Sequence, residues 1–177
     1  MKSASPFIIV GQGLAGTILA HHFLAAEIPF EIWDSPATHF NSSQAAGGIF
    51  NPVTGRKLEQ TWLADELFSY LFEFYPQLEA TLAKRFFYPM PLFRPFANEE
   101  MKTWLRDRKE QIHHGYLRWE EEGVWVEKAG WVDVAALLRA SRDFFVSKGL
   151  LVESEYTGNQ AIFCEGFHGQ QNPLWSS

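Results

Sequence analysis

Short apolar runs alternate with amphipathic stretches along the chain, and this pattern predicts strands that alternate with helices. The run FIIV (Phe7–Val10) is β-branched and aromatic, as in a buried strand, and FEIW (Phe30–Trp33) is a second run of this kind. Between them, apolar positions recur at helical spacing after a glycine turn: Leu14, Ile18, Leu19, His22 and Phe23. Pro29 prevents the helix from continuing. Strand, turn, helix and strand together predict a βαβ unit with a parallel strand pair.

The middle of the chain has a different pattern. Residues 35–57 are rich in Ser, Asn, Gly and Pro and predict a long structured loop, a kind of segment that is often functional. Residues 58–86 predict the longest helical stretch, which Pro76 divides into two helices. Its apolar stripe consists of Trp62, Leu63, Leu67, Tyr70, Leu71 and Phe74. Residues 89–96 hold too many prolines for a central strand and predict an edge strand.

The last third returns to the alternating pattern. Asn98 is a candidate N-cap for an exposed helix, and residues 123–127 alternate as in a strand. Residues 132–149 predict a helix, with Asp133 near its start and Gly149 just past its end. The segments LLVES and AIFC, at 150–154 and 161–164, predict two further strands. The whole pattern predicts an α/β fold with a central insertion that is richer in helix and edge strand.

Composition narrows the class of protein. The chain has 177 residues, enough for a sizeable core, and a net charge of −6 at pH 7. That charge argues against a nucleic-acid partner, because no basic stripe is present to neutralise phosphates. Cys164 is the single cysteine, so an internal disulfide is excluded, and a reducing, cytoplasmic location fits. No run reaches the ~20 apolar residues of a membrane span, so none is expected.

The glycine turn carries the first chemical signal. Gly11, Gly13 and Gly16 form the pattern GxGxxG directly after the first strand, and Asp34 follows the second strand about 20 residues later. Such a turn places backbone N–H groups at a helix N-terminus against a pyrophosphate, and the acid accepts hydrogen bonds from a ribose diol. The complete set predicts an adenine-dinucleotide site with Leu14 and Ala15 in the turn. Glu27 stands where such folds often have a glycine after the helix, so a different C-cap is implied.

Three further segments resemble the FAD-dependent oxidoreductases of the D-amino-acid oxidase and glycine oxidase superfamily. The loop NSSQAAGGIFNP (Asn41–Pro52) is similar to the loop that follows the second strand in that family. AGWVDVAALLRASRDFFVSKGLLVE (Ala129–Glu153) resembles the family's entry into a helix and strand, and AIFCEGFHG (Ala161–Gly169) its strand-to-glycine element. The resemblance implies cofactor-binding roles for Ser42, Ser43, Gln44, Gly47, Gly48, Cys164 and Gly166. Serine hydroxyls suit phosphate or ribityl oxygens, and small residues let the backbone approach a flat ring.

The resemblance also implies a domain organisation. Residues 1–60 and 133–177 are expected to form a discontinuous Rossmann-like FAD-binding lobe with a parallel sheet. Residues 61–132 are expected to form a helix-rich α+β insertion on the substrate side, a partial lobe. Members of the family are about twice this length. We therefore expect this sequence to correspond to the first half of the family's fold, with the C-terminal half missing.

The expected activity is that of an FAD-dependent oxidoreductase that oxidises a C–N bond of a small amine or amino-acid-like substrate. Two alternatives stay open at this point: an NAD(P)-linked dehydrogenase with the same βαβ unit, and a truncated, non-catalytic dinucleotide-binding protein. Arg56 and Arg94 are weak candidates for an anionic substrate, because guanidinium groups bind carboxylates in a bidentate manner. No catalytic residue is assigned, since the flavin carries the difficult chemistry in such enzymes. The pairs His21–His22 and His113–His114 point in different directions on a helix, so no metal site is expected.

Overall fold

A computed structural model of the protein describes residues 5–35, 42–112 and 115–172. The chain divides into two compact units by its internal contacts. The first unit comprises Met1–Ala46 and Val134–Ser177, and the second unit comprises Gly47–Asp133. Residues 47–60, which the sequence grouped with the first lobe, therefore cluster with the second unit.

The elements of the described residues are numbered in chain order. The strands are β1 (Phe7–Val10), β2 (Phe30–Trp33), β3 (Ile49–Phe50), β4 (Val53–Thr54), β5 (Glu59–Gln60), β6 (Phe87–Pro89), β7 (Leu92–Pro95), β8 (Leu117–Trp119), β9 (Gly123–Val126), β10 (Gly130–Val132), β11 (Leu151–Val152) and β12 (Ile162–Phe163). The α-helices are α1 (Leu14–Ala25), α2 (Ala64–Leu82), α3 (Glu99–Asp107) and α4 (Val134–Ser147), and a 3-10 helix spans Gly166–Gln171.

The first unit is built on a parallel four-stranded sheet in the order β11-β2-β1-β12. Its core contains Ile9 and Ile32 from the sheet and Phe145 from α4, all fully buried. The sequence supplies these residues as short β-branched and aromatic runs, which suit strands covered on both faces. The predicted mixed α/β fold with a Rossmann-like parallel sheet is therefore confirmed.

Helix α1 buries a different face from the predicted one. Its buried residues are Gly16, Thr17, Ala20 and His21, whereas the predicted apolar positions are only half-buried. The helix packs against α4 through small and polar side chains, and His21 Nε2 lies 2.9 Å from Ser141 Oγ. Small residues let the two helices approach closely, so apolar spacing alone misidentified the buried face. After the helix, Glu27 adopts a left-handed conformation (φ 54°), the place that a glycine would otherwise take.

The second unit is antiparallel. It contains the sheets β3-β10-β6 and β7-β9-β8 and the hairpin β4-β5. The predicted edge segment, 89–96, contains β7, which lies at the edge of its sheet, so the edge prediction is confirmed. The core of this unit consists of Val53, Leu58, Ala64, Phe68, Leu105, Tyr116, Val124, Val126 and Ala129.

Two sequence predictions for this unit are wrong in detail. The predicted loop 35–57 contains strands β3 and β4 within its described part. The long helix starts at Ala64 and continues through Pro76 to Leu82 without dividing. Its buried face contains Phe68 and Leu78, on either side of the proline, and packing of this face outweighs the hydrogen bond that proline removes.

Local signals were more successful elsewhere. The Asn98 side chain accepts a hydrogen bond from Met101 N at 2.8 Å, which confirms it as the N-cap of α3. The strands β11 and β12 and the helix α4 lie where they were predicted. Among the helices of the described residues, none is both long enough and apolar enough to cross a bilayer.

Candidate dinucleotide-binding site

The first glycine of the turn is required by the protein's own packing. Gly11 follows β1 with a φ of +96°, a conformation that L-residues rarely adopt, and its N–H donates to the Trp33 carbonyl at 2.8 Å. A Cβ atom at this position would lie 2.7 Å from the carbonyl oxygen of Cys164. Gly11 therefore serves both the tight turn and the close approach of β12.

The third glycine is required for the same kind of reason. A Cβ atom at Gly16 would overlap the Gly11 carbonyl oxygen and lie 3.3 Å from Cys164 Cβ. Cys164 itself is half-buried, and this burial raises the pKa of its thiol. Helix α1 can thus rest on the turn and on β12 only because Gly16 has no side chain.

The middle glycine differs from the other two. A Cβ atom at Gly13 would meet a single described neighbour within 4 Å, the Ser43 hydroxyl oxygen at 3.4 Å, which is an ordinary contact distance. The backbone conformation at Gly13 (φ −77°, ψ −170°) is also open to any residue. Packing and conformation therefore leave the absence of a side chain at Gly13 unexplained, whereas close approach of a ligand would explain it.

Ser43 lies directly at the N-terminus of α1. The Leu14 N–H donates to Ser43 Oγ at 3.1 Å. The hydroxyl oxygen thus binds one of the free N–H groups with which a helix N-terminus also attracts anionic oxygens. The hydroxyl proton stays available to a further acceptor. Ser42 and Gln44 lie on either side in the same turn and are exposed. Ala15, the next residue of the helix, is exposed as well.

Asp34, at the end of β2, is held in a network of hydrogen bonds. Its Oδ1 accepts from the Gln12 backbone N–H at 2.9 Å, and its Oδ2 accepts from Arg142 Nη1 at 2.9 Å. The same Arg142 nitrogen donates to Gln12 Oε1 at 2.8 Å, and Arg142 Nη2 donates to Glu153 Oε1 at 2.5 Å. Hydrogen bonds to Glu153 and Asp34 raise the pKa of Arg142 above its ordinary value against the opposing effect of burial.

Gln12 joins this network to helix α4. Its side chain is buried, and its Nε2 donates to the Leu138 carbonyl at 3.2 Å. Sequence reasoning identified Asp34 but missed Gln12, Arg142 and Glu153. Gln12 occupies a variable position inside the glycine pattern, and Arg142 lies 108 residues from Asp34, so no local spacing could have indicated either.

The remaining first-unit candidates follow β12. Gly166 begins the 3-10 helix with a φ of +57°, and a Cβ atom there would contact none of the described residues within 4 Å. The Cys164 N–H donates to the Val10 carbonyl at 2.7 Å, which ties β12 to β1 beside the turn. Of the predicted loop, Asn41 lies outside the described residues.

Four candidates belong to the second unit. Gly47 is exposed, and Gly48 (φ +65°) accepts a hydrogen bond from Val132 N at 2.9 Å on the approach to β3. Arg94 Nη2 donates to the Gly55 carbonyl at 2.8 Å and thereby holds the turn of the β4-β5 hairpin. Arg56 lies in that turn and is exposed.

The histidines give no sign of a metal site in the parts of the chain that the structure describes, where no cluster of three or more His, Cys, Asp or Glu side chains occurs. Burial, with a smaller contribution from His22, lowers the pKa of His21 to about 4, so this side chain is a neutral partner of Ser141. His113 and His114 lie outside the described residues.

Comparisons with known proteins place the fold. No protein-family model matches the chain. Glycine oxidase from Bacillus cereus superposes with a TM-score of 0.59 at 18% identity, over 82% of this chain and 46% of that protein. Iminodiacetate oxidase from a Chelativorans species superposes with a TM-score of 0.64 at 14% identity, over 84% of this chain and 46% of that protein. L-Proline dehydrogenase from P. horikoshii superposes with a TM-score of 0.56 at 17% identity, over 89% of this chain and 46% of that protein.

The chain therefore spans less than half the length of each of these proteins. The resemblance to the glycine oxidase group that the sequence motifs indicated is confirmed at the level of the fold.

Proposed function

We propose that the chain binds FAD and forms the cofactor-binding part of an oxidoreductase that oxidises a C–N bond. The observation that carries this proposal is the contrast among the three glycines. Gly11 and Gly16 are explained by contacts within the protein, whereas a Cβ atom at Gly13 would meet the described residues only at Ser43 Oγ, at an ordinary contact distance of 3.4 Å. A bound pyrophosphate would explain why no side chain is present there, since the backbone of the middle glycine must approach it closely.

The residues around the turn suit the two ends of an ADP moiety. The N-terminus of α1 offers backbone N–H groups and the positive end of the helix dipole to the diphosphate. Ser43 accepts from Leu14 N–H and has its own proton to donate to a phosphate oxygen. Each carboxylate oxygen of Asp34 accepts one hydrogen bond, from Gln12 N–H or from Arg142. A carboxylate can accept about four hydrogen bonds, so Asp34 can accept two more from the ribose hydroxyls.

The choice of FAD over NAD rests on the second half of the site and on the fold. In the first unit, Ser42, Gln44, Cys164 and Gly166 are proposed to line the rest of the cofactor, as small or hydrogen-bonding residues suited to a flat ring and a polyol. The cofactor-binding roles of Gly47 and Gly48, in the second unit, stay predictions. Solved proteins of this fold include a glycine oxidase and an iminodiacetate oxidase. FAD, when bound, supplies the two-electron acceptor for such an oxidation.

The substrate is proposed to be an amine or amino acid, in line with the names of those proteins. Arg56 is the better of the two candidates for a substrate carboxylate, because it is exposed in a turn, whereas the Arg94 guanidinium already donates to a backbone carbonyl. The role of either arginine is to bind and orient an anion. No residue of this chain is assigned as a base.

The experiment is direct. The purified chain is examined for flavin absorbance, and its thermal unfolding is followed with and without FAD, NAD or NADP. Saturating FAD is expected to raise the melting temperature, because a ligand that binds the native state stabilises it. Gly13→Ala serves as the matched variant and is expected to lose this stabilisation. A shift with NAD and none with FAD would favour a dehydrogenase, and no shift with any dinucleotide would reject the proposal.

A further inference from the structure

We infer that Arg142 is a positioning residue for the ribose end of the dinucleotide, and that the cluster Asp34–Arg142–Glu153 selects an unphosphorylated ribose against one that carries a 2′-phosphate. The inference rests on the proposed function, since it concerns the specificity of that same site. Arg142 touches no reacting atom and acts through Asp34.

The Arg142 guanidinium reaches three acceptors at once, on Gln12, Asp34 and Glu153, at 2.5–2.9 Å. These acceptors come from the glycine turn, the end of β2 and the end of β11, while Arg142 itself is on α4. A planar guanidinium with five N–H donors can bridge such a set, whereas a lysine ammonium cannot match its fork geometry.

Two hydrogen bonds fix the orientation of the Asp34 carboxylate. With Oδ1 bound to the Gln12 amide and Oδ2 bound to Arg142, both carboxylate oxygens have fixed positions before any ligand arrives. The Asp34 side chain is 15% exposed and that of Arg142 is 24% exposed, so this pair is shielded from solvent more than a surface pair. A carboxylate held in this way loses little conformational entropy when a ribose diol binds.

An arginine near the ribose acid can accommodate the 2′-phosphate of NADP. Here the one guanidinium faces two carboxylates, so the cluster carries a net charge of −1 from its three groups. That charge opposes a phosphate while it leaves a neutral diol unaffected. Arg142 therefore holds Asp34, the proposed acceptor of the ribose hydroxyls, in place, and does not itself bind a 2′-phosphate.

The test compares ADP-ribose with 2′-phospho-ADP-ribose, two probes that differ only in the 2′ group, by calorimetry on the full chain. The wild type is expected to bind ADP-ribose at least tenfold more tightly. Arg142→Gln is expected to weaken both ADP-ribose and FAD roughly tenfold, with partial recovery in Arg142→Lys, because a charged hydrogen bond to Asp34 is lost and only its charge is restored.

A charge-matched pair tests the specificity separately. Glu153→Gln is expected to reduce the discrimination against the 2′-phosphate about tenfold, because one unit charge near the phosphate is removed. Glu155→Gln makes the same change of net charge at an exposed position two residues away and is expected to leave the ratio of the two affinities unaltered. A role in folding alone would lower the melting temperature without changing this ratio.

The outcomes separate the two claims. If the wild type binds neither FAD nor ADP-ribose, the proposed function fails, and this inference fails with it. If the wild type binds both but a folded Arg142→Gln variant binds them within twofold of wild type, the positioning role is refuted while the proposed function stands. If Arg142→Gln does not fold, the Glu153 and Glu155 variants decide, and equal affinity ratios in these two would overturn the inference.

Discussion

The contrast between Gly13 and Gly16 yields the sharpest prediction. An alanine methyl at Gly16 would overlap the Gly11 carbonyl oxygen, whereas one at Gly13 would meet, among the described residues, only Ser43 Oγ at 3.4 Å. Overpacking of this kind costs about 1–3 kcal/mol, so Gly16→Ala is expected to lower the melting temperature by several degrees. Gly13→Ala changes an N-cap residue and is expected to cost about 1 kcal/mol or less.

For FAD affinity the order of the two variants is expected to be reversed, with the larger loss in Gly13→Ala. A methyl group at Gly13 would move a diphosphate away from the backbone and remove the equivalent of one charged hydrogen bond, about 2 kcal/mol or 30-fold in affinity. At an FAD concentration of 100 times the wild-type Kd, ligand stabilisation would fall from about 2.7 to about 0.9 kcal/mol. The measurement is thermal unfolding of the two variants and wild type, with and without FAD, supported by titration of flavin fluorescence.

The reasoning is refuted by either of two results. Gly13→Ala that binds FAD as tightly as wild type would show that no ligand approaches this backbone position. Gly13→Ala that unfolds as early as Gly16→Ala without FAD would show that packing accounts for the middle glycine too.

Three further variants test separate parts of the first and second units. Ser43→Ala is expected to weaken FAD binding about 5- to 10-fold, because a hydroxyl that contacts the start of α1 is lost. The neighbouring control, Ser42→Ala, is expected to weaken FAD binding less. Equal affinities of the two variants for FAD in a titration would contradict the role of Ser43. Because the pKa of His21 is lowered from 6.5 to about 4 in the folded chain, stability is expected to be full above about pH 6.5 and to fall by up to about 3 kcal/mol towards pH 4. Urea unfolding should show a weaker pH slope in His21→Gln but not in His22→Gln. Glu79 Oε1 accepts hydrogen bonds from two backbone N–H groups, at 2.6 and 2.7 Å. Glu79→Ala is expected to lower the free energy of unfolding by about 1–3 kcal/mol, and Glu79→Gln by clearly less. Equal denaturation midpoints for the two variants would argue against this contact.

Local chemistry determined much of the fold from the sequence alone. The β-branched runs identified β1 and β2, Asn98 identified the start of α3, and the prolines identified β7 as an edge strand. These signals succeed because turn geometry, capping and strand preference depend on neighbours within a few residues. The glycine pattern with Asp34 belongs to the same class, since one βαβ unit contains all of it.

Faces and long-range partners were decided only by the tertiary structure. Apolar spacing in α1 and α2 did not identify which side is buried, because α1 packs through Gly16 and His21 and α2 through Phe68 and Leu78. The difference in role between Gly13 and Gly16 likewise depends on which backbone atoms face each glycine. Gln12, Asp34 and Glu153 follow β1, β2 and β11, because parallel strands place their carboxyl ends at one edge of the sheet. Arg142 reaches all three from helix α4, across 130 residues of sequence from Gln12. The sequence thus determined where a dinucleotide turn begins, and the three-dimensional packing determined which side chains hold its acid in place.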